Sequence, residues 1–210
     1  LTVGKGANSV ATNTVLGDNA LDAAVTGGFN TAVGYNALTT NTSGADNVAI
    51  GYDALATNLG GSTNTAVGKS ALKLNTGDSN TAVGKEALET NSTGATNTAV
   101  GLQALGDNTT ASNSVAVGYL AAGVATTAAG TVAIGRETLG AGVMTGDYNT
   151  AVGYTAGKVI TSGYQNTLMG YKAGLALTTG TSNVLIGDQA GDQQTGSLHN
   201  TIIGAEAGQK

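Results

Sequence analysis

A nine-residue word, Asn-Thr-Ala-Val-Gly-x-x-Ala-Leu, recurs along the chain, and no other feature restricts the fold as much. Its glycine stands at Gly17, Gly34, Gly51, Gly68, Gly84, Gly101, Gly118, Gly135, Gly153, Gly170, Gly187 and Gly204, 17 residues apart except for one step of 16 and one of 18. Val3-Gly4 reads as a truncated opening rung. Self-similarity at a short fixed period is the mark of a solenoid, in which each repeat stacks on the one before. The irregular steps show which part of the repeat is the stacked element. Seven residues lie between Leu72 and Asn80, eight between Leu38 and Asn47, and nine between Leu139 and Asn149. Both length changes therefore fall in the polar connector, as expected if the word is the element and the connector a loop.

The word has the chemistry of a short strand. One residue before the glycine stand Leu16, Val33, Ile50, Val67, Val83, Val100, Val117, Ile134, Val152, Met169, Ile186 and Ile203. Three before it stand Thr14, Thr31, Val48, Thr65, Thr81, Thr98, Val115, Val132, Thr150, Thr167, Val184 and Thr201. β-Branched residues favour strands, and side chains two apart in a strand share a face. These two columns therefore share a face, and the uniformly apolar one, Val33 to Ile203, is expected to be the core. The column two before the glycine points the other way: Val15, Ala32, Ala49, Ala66, Ala82, Ala99, Ala116, Ala133, Ala151, Leu168, Leu185 and Ile202. A solvent-facing column is expected to be polar. This one has no polar residue, so it is expected to form an interface between chains.

Four residues after the glycine stand Leu21, Leu38, Leu55, Leu72, Leu88, Leu105, Ala122 and Leu139, and then Gly157, Gly174, Gly191 and Gly208. One rung after that switch the alanine column becomes Leu168, Leu185 and Ile202. Volume lost in one column reappears in the other, which close packing requires if the two touch. Asparagine opens the word at Asn13, Asn30, Asn47, Asn64, Asn80, Asn97, Asn149, Asn166, Asn183 and Asn200, and is expected to form a hydrogen-bonded ladder. The fold expected is all-β, a parallel solenoid of about twelve 17-residue coils. At about 4.8 Å per rung it spans roughly 55–60 Å. It divides into residues 1–12, the truncated opening; 13–148, with the Ala-Leu ending; and 149–210, with the Ala-Gly ending, all one continuous solenoid. An interwound triple β-helix, in which three chains share each turn, is the nearest rival.

Composition removes several function classes. The chain of 210 residues has 34 Gly, no Pro, Cys or Trp, a formal charge of −5 and eight scattered Lys and Arg, so it has no basic stripe for nucleic acid. No apolar run reaches the roughly 18 residues of a membrane span, and Leu1-Thr2-Val3-Gly4 does not read as a signal peptide. One histidine, His199, and no cysteine cannot build a histidine-based zinc site or a Ser-His-Asp triad. The acids at Glu86 with Glu89 and Asp188 with Asp192 sit in variable columns and read as solvated surface. No catalytic residue, cofactor or metal site is expected. Tyr35, Tyr52, Tyr119, Tyr154 and Tyr171 directly follow the motif glycine. They either stack rung on rung, make rim contacts at an interface between chains, or form an outward column able to bind a surface glycan.

The segments Asn-Thr-Ala-Val-Gly-Tyr-Asn-Ala-Leu at residues 30–38 and Asn-Ser-Val-Ala-Val-Gly at 113–118 resemble the head repeats of trimeric autotransporter adhesins. They resemble still more the phage tail-fibre repeats found upstream of endosialidase-type chaperones. Adhesin heads use a shorter repeat, and here the polar connector is longer. The resemblance implies a left-handed β-roll assembled as a parallel homotrimer, with no enzyme in the repeats. It implies a fibre shaft or head on a virion, or alternatively on a bacterial surface, in contact with itself, with neighbouring fibre or baseplate proteins and with a host surface glycan or protein. The segment is expected to position a host-attachment element, and the best internal exception is the loop 140–148, the longest and least regular. An ice-binding solenoid is a third reading. It is weakened because the threonine column shares its face with the column assigned to the core, and because an ice binder needs two regular outward threonine columns where this chain has one, interrupted by Val48, Val115, Val132 and Val184.

Overall fold

The computed structural model describes residues 3–6 and 10–209. Its strands are β1 (Val3–Gly4), β2 (Thr14–Leu16), β3 (Thr31–Val33), β4 (Val48–Ile50), β5 (Thr65–Val67), β6 (Thr81–Val83), β7 (Thr98–Val100), β8 (Val115–Val117), β9 (Val132–Ile134), β10 (Thr150–Val152), β11 (Thr167–Met169), β12 (Val184–Ile186) and β13 (Thr201–Ile203). They form one 13-stranded sheet in sequence order. From β2 to β13 every pairing is parallel, and each strand bonds the equivalent strand of the next repeat in the same chain. The chain is thus a β-solenoid, and among the described residues it contains no helix. The 16-residue step pairs Thr65 with Thr81 and the 18-residue step pairs Val132 with Thr150, so neither disturbs the register. The opening differs from expectation. β1 runs antiparallel to β2, with Val3 opposite Leu16, so it lies along the edge of the stack rather than extending it as a further rung.

Each strand from β2 to β13 is three residues long because glycine ends it. From Gly17 to Gly204 the motif glycines have φ between +129° and +140°, a region that L side chains avoid. Contact adds a second reason: a Cβ on Gly84 would stand 2.5 Å from the Gly101 carbonyl oxygen. The turn that follows returns the chain through left-handed residues, among them Asn36 (φ 56°) and Leu38 (φ 54°). A left-handed leucine costs about 1–2 kcal/mol. Burying its side chain completely, as at Leu38, Leu55, Leu72, Leu88 and Leu105, returns about 1.5–3 kcal/mol.

The interior reverses the expected assignment of faces. Ala32, Ala49, Ala66, Ala82, Ala99, Ala116, Ala133, Ala151, Leu168 and Leu185 are fully buried, and Ile202 is half-buried against the same core. They lie inside their own coil and cannot be an interface between chains. The column assigned to the core faces outward. Ile50, Val83, Val100, Val117, Ile134, Met169 and Ile203 are exposed, and Val33, Val67, Val152 and Ile186 are half-exposed. The cause is width. The coil already holds a second alanine column, Ala37 to Ala190, and the leucines of the turn, so the strand can contribute only a methyl group.

The inferred contact between the two volume-trading columns is present. A Cβ on Gly157 would meet Leu168 Cδ1 at 2.5 Å and Leu139 Cδ2 at 2.8 Å. Once the turn residue loses its side chain, the strand residue grows into the space.

Candidate functional site

The asparagine column is hydrogen-bonded rung to rung. The Asn30 backbone N–H donates to Asn13 Oδ1 at 2.9 Å, Asn47 to Asn30 at 3.0 Å, and the pattern runs on through Asn64, Asn80 and Asn97. Each side-chain Nδ2 donates to a carbonyl of the next connector, as from Asn47 to Gly61 at 2.9 Å. Ser114 continues the ladder and accepts from the Thr131 N–H at 3.2 Å. Thr131 turns its hydroxyl to the Ala128 carbonyl instead, and the ladder resumes at Asn149, which accepts from Asn166. Sequence reasoning missed a second ladder, in which Asn58, Asn75, Asn91 and Asn108 each donate to the asparagine one rung earlier, beginning at Asn41. These five are buried, and Asn108 Oδ1, at the ladder's end, has no hydrogen-bond partner. The signal was present: all five stand seven residues after a motif glycine.

The sheet presents a long outward face made of the threonine/valine column and the valine/isoleucine column. No residue of either column is charged. The face is about 55 Å long and roughly 10 Å wide, comparable in area to the largest apolar patch of an ordinary monomer but drawn out as one continuous strip.

Beside it runs the tyrosine column. The rings of Tyr35 and Tyr52 stack with centroids 5.4 Å apart, and those of Tyr154 and Tyr171 at 5.6 Å. Lys69 sits over Tyr52, Lys172 over Tyr171, and Arg136 lies within reach of both Tyr119 and Tyr154. Each of the five thus has at least one ring face against a neighbouring ring or cation, by stacking in two pairs and by Arg136 at Tyr119. Glu137 is paired with Lys158 at 2.7 Å and with Arg136 at 3.1 Å. The Lys158 ammonium, and after it the Arg136 guanidinium, hold its carboxyl below the usual range.

The remaining candidates do not converge. His199 is exposed on a connector, and among the described residues no group of three or more His, Cys, Asp or Glu side chains is placed to hold a metal ion. Among the same residues no helix is long and apolar enough to cross a membrane. On the connector side, residues 145–148 and 162–165 enclose a shallow groove of about 270 Å³ lined by Thr145, Asp147, Tyr148, Ser162, Tyr164 and Gln165 over Gly146. No protein-family model, curated protein or solved structure matches the chain.

Proposed function

We propose that this chain is a structural segment of a trimeric phage tail fibre, holding a host-attachment element at a distance, and that three parallel copies pack through their outward sheet faces. The number three and the phage setting come from the likeness of the repeat word to fibre repeats. The observation that carries the reading is the sheet face itself, which is uncharged, apolar along one whole column, and repeated in register from β2 to β13. A partner that covers such a face along its length needs the same axial period, and another copy of the chain has it. The face offers on the order of 500 Å² per chain, less than the roughly 800 Å² per partner of a standard stable interface, so the flanking tyrosines would have to join the contact. The head of a bacterial surface adhesin would use the same face in the same way.

Light scattering tests the assembly: the fibre reading requires a mass near three times the 20.3 kDa of one chain. A monodisperse folded monomer overturns it.

One observation favours a second reading. The threonines Thr31, Thr65, Thr81, Thr98, Thr150 and Thr167 lie on the outer face, not in the core. That removes the objection that this column faces the core, while the column stays single and is interrupted by Val48, Val115, Val132 and Val184. A monomer that shows thermal hysteresis would support that reading, and a trimer that shows none would dismiss it.

A further inference from the structure

The geometry points to a saccharide-binding groove between Tyr148 and Tyr164, on the connector side of the only 18-residue rung. Five of the seven tyrosines have a face occupied by a neighbouring ring or cation. Among the described residues, Tyr148 and Tyr164 have no such partner, and they are 62% and 47% exposed. The corresponding connector positions in most other rungs carry Ala, Ser, Thr, Asp or Asn. Tyr148 rests one side of its ring on Gly130, and neither ring is covered by a neighbouring ring or cation, so both keep aromatic surface open in a polar connector.

The backbone holds both rings in place. Tyr148 has φ 58°, and its N–H donates to the Ala129 carbonyl at 2.9 Å. Its ring lies against Gly130, where a Cβ would come within 2.7 Å of Tyr148 Cδ1, so glycine there admits the ring. Asp147 Oδ1 accepts from the Ala129 N–H at 2.8 Å, and the Asp147 carbonyl accepts from the Gln165 N–H at 3.0 Å. The Tyr164 carbonyl accepts from Ser182 N–H at 3.1 Å, and Asn149 Nδ2 donates to the carbonyls of Gly146 and Gly163. The groove is thus tied to the rungs before and after it, and ordering it on binding costs little.

The lining selects the ligand class. Aromatic faces pack on an apolar surface, while Thr145, Ser162, Gln165 and the second carboxylate oxygen of Asp147 offer donors and acceptors around them. A pyranose ring has an apolar C–H face and a hydroxyl rim. The volume is just below that of a drug-sized pocket, which suits one or two sugar units. The lining has one carboxylate and no cation, so the ligand is a neutral glycan and not a sialylated or sulfated one. The groove belongs to the single chain and does not depend on the trimer.

To test this, the full 210-residue chain is applied to an array of cellotetraose, maltotetraose, chitotetraose and mannotetraose beside sialyllactose and sulfated galactans. The best neutral binder is then titrated by saturation-transfer NMR. The expected result is saturable binding to at least one neutral oligosaccharide. Tyr164→Ala and Tyr148→Ala should each weaken it about tenfold, Tyr164→Phe should leave it nearly unchanged, and Tyr35→Ala should leave it intact. Circular dichroism of each variant confirms the coil, and the scattering mass reports on assembly separately. Binding to none of the neutral sugars, binding only to the anionic ones, or binding that survives the Tyr148→Ala/Tyr164→Ala double substitution overturns the proposal.

Discussion

At position 82 the coil has room for a methyl group, and at position 83 the side chain leaves the coil. This pair shows what the sequence conveyed and what it withheld. Alternation with period two establishes that residues 81 and 83 share a face and 82 takes the other, but it does not say which face is inside. Hydrophobicity selected valine, whereas the interior selects by size, and small size is the property the alanine column keeps from Ala32 to Ala151. The prediction is asymmetric. Ala82→Asp places an unpaired charge in a fully closed interior at a cost of several kcal/mol, and should abolish the β spectrum. Val83→Asp, on a residue 37% exposed, should keep that spectrum while the scattering mass falls from that of the proposed trimer to that of a monomer. If Val83→Asp unfolds the chain and Ala82→Asp does not, the assignment of faces is wrong.

The elements were the most legible level. Strand positions, register and the absorption of both irregular steps in the connector all follow from counting columns, because a stack tolerates no insertion in its bonded part. The exchange of volume between the turn leucine and the strand alanine was also legible, since it is a correlation within one chain. It can be measured. Gly157→Leu overpacks Leu168, at about 1–3 kcal/mol, and Leu168→Ala leaves a void at about 2–5 kcal/mol. In urea titrations the double variant should cost at least 1 kcal/mol less than the two singles together; simple additivity would mean that the columns do not touch. The buried amides give a second test. Asn75 accepts from both Asn80 and Asn91 and donates to Asn58 and Gly77, so Asn75→Ala strands several partners, at about 2–3 kcal/mol. Asn108→Ala moves the unpaired oxygen from Asn108 back to Asn91 and removes one of the two amide donors to the Ala111 carbonyl, which Asn97 still serves, and should cost about 1 kcal/mol.

For the molecule as a whole, near-identical rungs make length a free variable. Excising residues 85–101 removes one rung and keeps every remaining register, so the shortened chain should fold with an unchanged spectrum per residue. Excising 85–92 leaves half a coil and should unfold its neighbours, which thermal melts would show as a loss of cooperativity. The groove at Tyr148 and Tyr164 was only half visible beforehand. Loop 140–148 stood out by its length, but that Tyr148 shares a groove with Tyr164 of the next connector depends on how the connectors stack, which no local pattern encodes.

The side-chain ladder is interrupted between Thr131 and Asn149, within the longest rung and next to the Leu139-to-Gly157 change. In this architecture the backbone winds around the axis, so a pull between the ends is carried by hydrogen bonds in series rather than by covalent bonds. Such a rod is as strong as its weakest joint. Tethered at both ends in an optical trap, a single chain should part first between β9 and β10, leaving two intact pieces, β2–β9 and β10–β13. A fibre that yields there would give way beside its proposed sugar groove, so that load and adhesion would meet at one joint.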